Sequence, residues 1–476
     1  MHGPVRTLLV HGGGLAGAFT AMSLAKTLGE GLRIIYARQD DAAALDFFYG
    51  HATAPSAYEF LRTLGLDEPS LFTRTASSFS LGAHFKTWLA GRSWVQCHHL
   101  PLPLPGGVPL IHHLTRSQAP VEPVLVSAQA ALRGGFAHPP GDAANPWSRA
   151  EYGYQFSPSE WADHLERLLP ETQIELVSSP VRRLSTDKQR ITQVEFESGD
   201  IIAPDLVIDC SGPLRTCIQA VGGAFQVTHD VSARLDMTRC QKLGPPCRII
   251  EASQTGWSAR AHLRDREIVL FVTDPESSSG PDARKIGLGQ IDAAWVGNCV
   301  AIGHASFITE PLSPAPMMML QADIERLLDL IPLGEDMSVE RQEFNRRFLE
   351  NVSHTQMFQG AILTSPDHPQ TPYWQHAQTR SAVKGLERKV RQFENRGILV
   401  KYDLEPFNDE DWLIAHLGMG RRPKSYDRQV EAISAEQSVA LCRDLASTVA
   451  KLVPRLPPHH LYVTNLVRYL KKQQHA

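Results

Sequence analysis

Three glycines near the start of the chain define the chemistry that can follow. Leu8-Leu9-Val10-His11 runs into Gly12-Gly13-Gly14-Leu15-Ala16-Gly17. In G-x-G-x-x-G spacing after a strand, the first glycine makes a tight turn, the second lets backbone approach a pyrophosphate, and the third lets the next helix pack closely. The helix start offers unpaired N–H groups and a partial positive charge to phosphate oxygens. Gly12, Gly14, Ala16 and Gly17 are therefore candidate ligands of a dinucleotide. An acid ordinarily stands about 20 residues past the last glycine to hold the ribose hydroxyls. Here Ala37 is followed by Arg38, and Arg38 is the candidate for that place.

The spacing requires a buried parallel strand over 7–10, a helix over 18–28 and a second strand over 33–36, a complete β-α-β unit. The chain has 476 residues, 42% of them apolar, enough for a large core. A net charge of -4 with evenly mixed signs gives no footprint for nucleic acid. No run of about 18 apolar residues suits a membrane span, and no leader precedes the first strand, so a cytoplasmic protein is expected. The seven cysteines are scattered, odd in number and without a C-x-x-C pair, arguing against a disulfide framework or zinc. His98-His99 and His112-His113 read as strand neighbours pointing to opposite faces, hence structural, and no metal site is expected.

Further along, 40–49 reads as loop leading into Gly50-His51-Ala52-Thr53-Ala54-Pro55, followed by an amphipathic helix with Tyr58, Phe60, Leu61 and Leu64 that ends at Gly65. Residues 78–88 alternate as one half-buried strand. Residues 89–147 are rich in proline and glycine and read as an irregular surface loop or insert. A helix is predicted over 158–169 with Ser157 as N-cap, then strands within 173–199. An apolar strand ends in Asp209-Cys210-Ser211-Gly212; another, 299–302, enters Gly303-His304, then Glu310-Pro311-Leu312 and a helix over 317–330. Residues 340–476 read as a helical lobe covering the substrate side.

With the segments 12–17, 50–55, 79–88, 205–212, 256–257, 295–312 and 457–469 in this order, the chain resembles the flavin-dependent tryptophan halogenase family over nearly its whole length. The resemblance implies FAD as cofactor, reduced flavin reacting with dioxygen, an external reductant or flavin reductase, and an aromatic, often indole, substrate. It implies an α/β fold of the two-dinucleotide-binding FAD monooxygenase type. A Rossmann-like FAD domain would take 1–88, 150–220 and 290–335, an inserted β-rich substrate domain 89–149 and 221–289, and a C-terminal helical lobe 336–476. Asp209 and Gly212 would close over the adenosine half. Ala52, Thr53, Gly303, His304, Pro311 and Leu312 would surround the flavin.

The residues that make that family halogenate are replaced. Its catalytic lysine follows the Phe of a T-F-K-L-G motif, and here Phe79 is followed by Ser80. Lys86 is near in sequence, but alternation puts it elsewhere on the strand. The family's W-x-W-x-I-P begins at Trp257 and decays to Ala259, Ala261 and His262. Its E-P-L-E-S-T-G, which carries the catalytic glutamate and the halide-binding Thr-Gly, reads Glu310-Pro311-Leu312-Ser313-Pro314-Ala315-Pro316. Proline lacks the N–H that would face an anion. The Glu of G-E-A-T is His51. A flavin hydroxylase of an electron-rich ring follows, acting through a flavin C4a-hydroperoxide, with His51 and Glu310 as candidate acid–base groups. The ring is expected on a tryptophan within a peptide or protein, as in tryptophylquinone biogenesis, because no charged cluster for a free amino acid is visible and 89–147 offers a binding surface. Halogenation of tryptophan or indole, and a catalytically silent FAD-binding interaction protein, are the alternatives.

Overall fold

The computed structural model describes residues 4–29, 31–277, 280, 282–381 and 383–474. Among them, the apolar runs around Leu8 and Val207 form the middle of a six-stranded sheet, since a strand covered on both faces is apolar throughout. From one edge the strands are Trp295–Val296, Cys299–Ala301, Leu206–Cys210, Thr7–Gly12, Arg33–Arg38 and Glu175–Val177. Thr7–Gly12 is parallel to both neighbours, with Gly12 level with Cys210 on one side and Arg38 on the other. Asp209 is level with Ala301. The carboxyl ends of these strands thus bring Gly12, Arg38, Ser211-Gly212 and Gly303 to one edge, where open α/β sheets take ligands. Helix Gly14–Thr27 follows the first strand directly, its Phe19 ring against Phe60 and Trp161.

A second, eight-stranded sheet runs Phe307–Ile308, Arg284–Ile291, Phe225–Arg239, Arg266–Thr273, Gly256–His262, Arg248–Ser253, Gly82–Leu89 and Arg92–Cys97. Residues 78–88 are therefore two strands, not one. Ser78–Ser80 pairs with Gly153–Gln155, and Gly82–Leu89 enters the large sheet beside Arg248–Ser253. The break falls at Leu81, and the second strand starts at Gly82, where a β-carbon would stand 2.1 Å from Gln96 O.

Residues 89–147 are not an irregular surface loop. They hold strand Arg92–Cys97 and helices Leu110–Ser117 and Val126–Arg133, with Ile111, Leu114, Ala128 and Ala131 buried. The prolines and glycines stand at helix ends, Pro109 before the first helix and Gly134 as the left-handed cap after the second, which gave the stretch its loop-like composition. Residues 40–49 form a 3-10 helix, Asp40–Tyr49, where a loop was expected. Ser157 occupies the N-cap position of Pro158–Leu168, but its hydroxyl meets Ser159 Oγ rather than the backbone.

The C-terminal part contains helices Ser338–Leu363, Pro372–Arg380, Leu386–Arg396, Asp409–Gly418, Ala435–Leu452 and His459–Gln474. Phe358 of the first stacks on Phe407 at 3.8 Å. All seven cysteines are free thiols. Among the described residues no helix is long and apolar enough to cross a membrane, and no three His, Cys, Asp or Glu side chains gather as a metal site.

Candidate functional site

The glycine turn has the geometry its spacing requires. Gly14 has φ +60°, a conformation that glycine adopts without a Cβ penalty. The next residue, Leu15, donates its N–H to Asp46 Oδ2 at 2.7 Å. The helix start therefore already holds a carboxyl oxygen where a pyrophosphate would present one of its own. Burial pushes the Asp46 carboxyl up to about 7. Arg38, half exposed, pairs with Asp40 and Glu166 at 3.1 and 3.3 Å.

Asp209 turns inward. Its carboxylate accepts from Ser211 N, Ser211 Oγ, Cys217 N and Ile218 N at 2.5–2.9 Å, so it shapes the Ser211-Gly212 turn. Gly303 donates its N–H to Asp323 at 3.1 Å. His304 donates its backbone N–H to the Tyr49 hydroxyl at 3.1 Å, and its ring lies flat on Tyr49 at 3.8 Å. Burial pushes His304 down to about 3 and His51 down to about 4, so both rings are neutral. His51 Nδ1 stands 3.2 Å from Phe156 O; that nitrogen must carry the proton, which leaves Nε2 as an acceptor. His51 Nε2 and His304 Nε2 are buried without a partner. Buried polar atoms are ordinarily satisfied, so both fit a bound group that brings polar atoms of its own, as FAD does. Thr53 exchanges two hydrogen bonds with Tyr154, fixing 50–55 beside this turn.

Glu310 is not brought into the substrate space. Its carboxylate accepts from Trp257 Nε1 at 3.1 Å and Tyr373 OH at 3.2 Å and pairs with Arg380 at 2.8 Å. Burial pushes it up to about 7, and the hydrogen bonds from Trp257 and Tyr373 pull the other way. It braces the turn. The following carbonyls, Pro311 O and Leu312 O, are held by the two guanidinium nitrogens of buried Arg248 at 2.8 and 2.9 Å.

Beyond that turn lies a cavity of about 370 Å³. Ala52, Phe85, Leu312, Met318, Phe358 and Phe407 make its apolar wall, and Ser80, Gln96, His98, His99, Glu151, Arg248, Ser313 and Asp411 its polar one. Ser80 and Ser313, the positions where the resemblance puts a lysine and a glutamate, thus belong to one cavity. No lysine lines it. Phe85 faces it and Lys86 does not, as alternation on a strand requires.

Two expectations are corrected here. His98 and His99 both line the cavity, because the doublet lies just past strand Arg92–Cys97 and the alternation rule does not reach it; burial pushes both down to about 4. The cavity also carries charge where none was visible in the sequence. Asp411 is pushed up to about 7 by burial, with Glu151 and Glu410 adding to the effect, and Glu151 is raised by burial and Glu410. Asp411 and Asn408 form a capping box at the start of Asp409–Gly418. The N-x-x-D pattern is legible, but its facing a cavity is not. Arg248, Asp46 and Tyr49 gave no signal in the sequence.

The family model described as tryptophan halogenase matches residues 7–271 and 261–435. The chain is 24% identical over 442 residues to tryptophan 7-halogenase KtzQ of Kutzneria sp. (strain 744), covering 82% of this chain and 81% of that one. The solved structure of BrvH, a flavin-dependent halogenase from Brevundimonas sp. BAL3, superimposes with TM-score 0.89 at 22% identity, covering 97% of this chain and 99% of the other. MibH, a lanthipeptide tryptophan 5-halogenase, superimposes with TM-score 0.82 at 17% identity over 98% and 94%. These likenesses establish the shared fold.

Proposed function

Given that the chain belongs to the tryptophan halogenase family and uses FAD, we propose that it is a flavin-dependent oxygenase that hydroxylates an electron-rich aromatic ring held in the 370 Å³ cavity. The observation that carries this reading is the pair Ser80 and Ser313 in a cavity wall without a lysine. An ammonium at Ser80 is what the resemblance requires for directing a halogen, and neither serine supplies charge. FAD, when bound and reduced, supplies the activation of dioxygen.

The protein's own part is positioning and proton transfer. Phe85, Phe358 and Phe407 offer flat apolar faces to a ring, and the cavity's size suits one aromatic group of amino-acid dimensions. A ring that gains oxygen at carbon gives up its proton. Asp411, with its carboxyl near 7, is matched to take it at neutral pH. His51, neutral and with its Nε2 unpartnered, would accept a hydrogen bond from a bound flavin.

Halogenation is the second reading, and the comparisons favour it, since the relatives with stated activities are halogenases. The peptide-borne ring, and with it a tryptophylquinone role, loses both of its supports from the sequence. The 89–147 stretch is folded, and the cavity carries Glu151 and Asp411, which suit a free ammonium. One assay separates the readings. Chemically reduced FAD, ¹⁸O-labelled dioxygen and bromide are supplied with free tryptophan or a tryptophan-containing peptide, and product masses are read. The expected product carries ¹⁸O and no bromine; a brominated ring replaces the proposal with the second reading, and turnover of the peptide alone restores the peptide-borne ring.

A further inference from the structure

A buried cation in the cavity wall has no anion to balance it. Arg248 is 2% exposed and lines the cavity. Its strand runs parallel to Gly82–Leu89, with Arg248 level with Ala83 and Ile250 level with Phe85, so alternation puts Arg248 on the face that carries Phe85. Nη1 and Nη2 each donate to a backbone carbonyl, Pro311 O and Leu312 O. Two of the five guanidinium N–H groups are then used, and Nε is buried without a partner. Among the described residues no carboxylate pairs with it, and burial alone pushes the guanidinium down to about 10. The acids of the same cavity do not compensate it. Asp411 is pushed up to about 7 and Glu151 is raised, each by burial and then by neighbouring acids, with no cation acting on either; a guanidinium close by would pull both down. Glu310, on the turn that Arg248 holds, is turned to Arg380. His51, His98 and His99 are neutral, and the Arg248 charge helps to keep the first two so. A buried charge left without a partner is strongly destabilising, so this wall is built for an anion.

We infer that Arg248 is the subsite for an oxygen anion borne on the aromatic ring of the substrate, which makes the substrate a phenol held as its phenolate. The inference rests on the reading of the cavity as the place where the ring is oxidised. Arg248 is anchored on the carbonyls that precede Ser313. Leu81, next to Ser80, donates its N–H to Pro246 O at 2.6 Å, two residues before Arg248. The guanidinium therefore belongs to the part of the wall that holds both serines, and an anion there sits on the reacting ring. A ring-borne O⁻ pushes electrons to the carbons ortho and para to it, as attack by an electrophilic oxygen requires, whereas a ring-borne carboxylate withdraws them. Uptake balances simply: the phenol O–H bond breaks, the proton goes to solvent and the electron pair stays on the oxygen beside Arg248.

The test uses the full-length protein with oxidised FAD and 4-nitrophenol, whose phenolate is yellow and whose neutral form is not. Difference absorbance is followed against pH. The bound phenol is expected to ionise about one pH unit or more below the free one, the effect of an opposite charge at close range. Ionisation of Asp411 acts in the opposite direction, so a lowered value is not its doing. Above that pH 4-nitrophenol should bind about tenfold more tightly than its methyl ether, 4-nitroanisole, and more tightly than 4-nitrobenzoate. Arg248→Gln should return the ionisation to its free value and keep the affinity for 4-nitroanisole. Unshifted ionisation in the wild type overturns the inference, and this arm needs no variant to fold. Arg248-dependent binding of 4-nitrobenzoate above that of 4-nitrophenol overturns it in favour of a carboxylate. Lowered ionisation with no ¹⁸O gained by a phenol on flavin reduction keeps the inference and removes the hydroxylase reading; ¹⁸O gained only by rings without a hydroxyl, with ionisation unshifted, does the reverse.

Discussion

His304 illustrates how a residue's surroundings fix its chemistry. Its ring lies flat on Tyr49, Arg215 donates to its backbone carbonyl, and burial, followed by the Arg215 charge, pushes it down to about 3. In the unfolded chain an imidazole titrates near 6.5. A base whose folded value is lowered contributes stability above the unfolded value, and that contribution is lost as pH falls from about 6.5 towards 3. The stability difference between wild type and His304→Phe, from urea unfolding without FAD, should therefore shift against the wild type by about 2 kcal/mol between pH 7.5 and pH 5. A difference that is constant with pH would show the ring to be protonatable in place. His51 follows the same logic at about 4, which makes it an acceptor at neutral pH and not an acid.

Among the elements, the turn 310–314 does the most for its size. It lines the cavity through Leu312, Ser313 and Pro314 and is held by buried side chains. Glu310 is tied to Trp257, Tyr373 and Arg380, and Arg248 holds the carbonyls of Pro311 and Leu312. A guanidinium serves two carbonyls at once because its donors form a rigid fork, and an ammonium does not. Arg248→Met should cost about 2 kcal/mol in urea unfolding, the difference between two lost charged hydrogen bonds and the recovered cost of burying a cation. Arg248→Lys should not restore it. A lysine variant as stable as the wild type would reject the fork.

On the scale of the whole molecule, the cavity exists because three distant parts of the chain meet. The sheet supplies Phe85 and Gln96, the turn Leu312 and Ser313, and the helical lobe Phe358, Phe407 and Asp411. Gln96 Nε2 donates to Asp411 O at 2.9 Å across the junction of sheet and lobe. Phe407→Ala removes one stacked aromatic face and should lower kcat/KM for an accepted aromatic substrate by about tenfold with the fold retained, since such contacts carry about 1 kcal/mol beyond burial and also orient the ring. Unchanged kcat/KM would move the substrate site elsewhere.

The cofactor half was legible because its signals are local. Gly12, Gly14 and Gly17 are spaced by the turn they make, and the apolar runs at 7–10 and 206–210 announce strands covered on both faces. The motif positions of Ser80 and Ser313 were also readable, although they lie more than 200 residues apart and only the fold puts them in one wall. What remained hidden depends on contacts distant in sequence. The prolines of 89–147 gave no sign that the residues between them are buried helices, because proline at a helix start and proline in a loop look alike. Glu310, Asp209 and Asp411 are all acids beside a turn or helix start, yet one is locked to an arginine, one caps a turn and one faces a cavity. Sequence determined that these carboxyls exist at element ends; tertiary packing decided which of them keeps an oxygen free, because burial and the available donors are set by residues distant in sequence, Arg380 for Glu310 and Glu151 for Asp411.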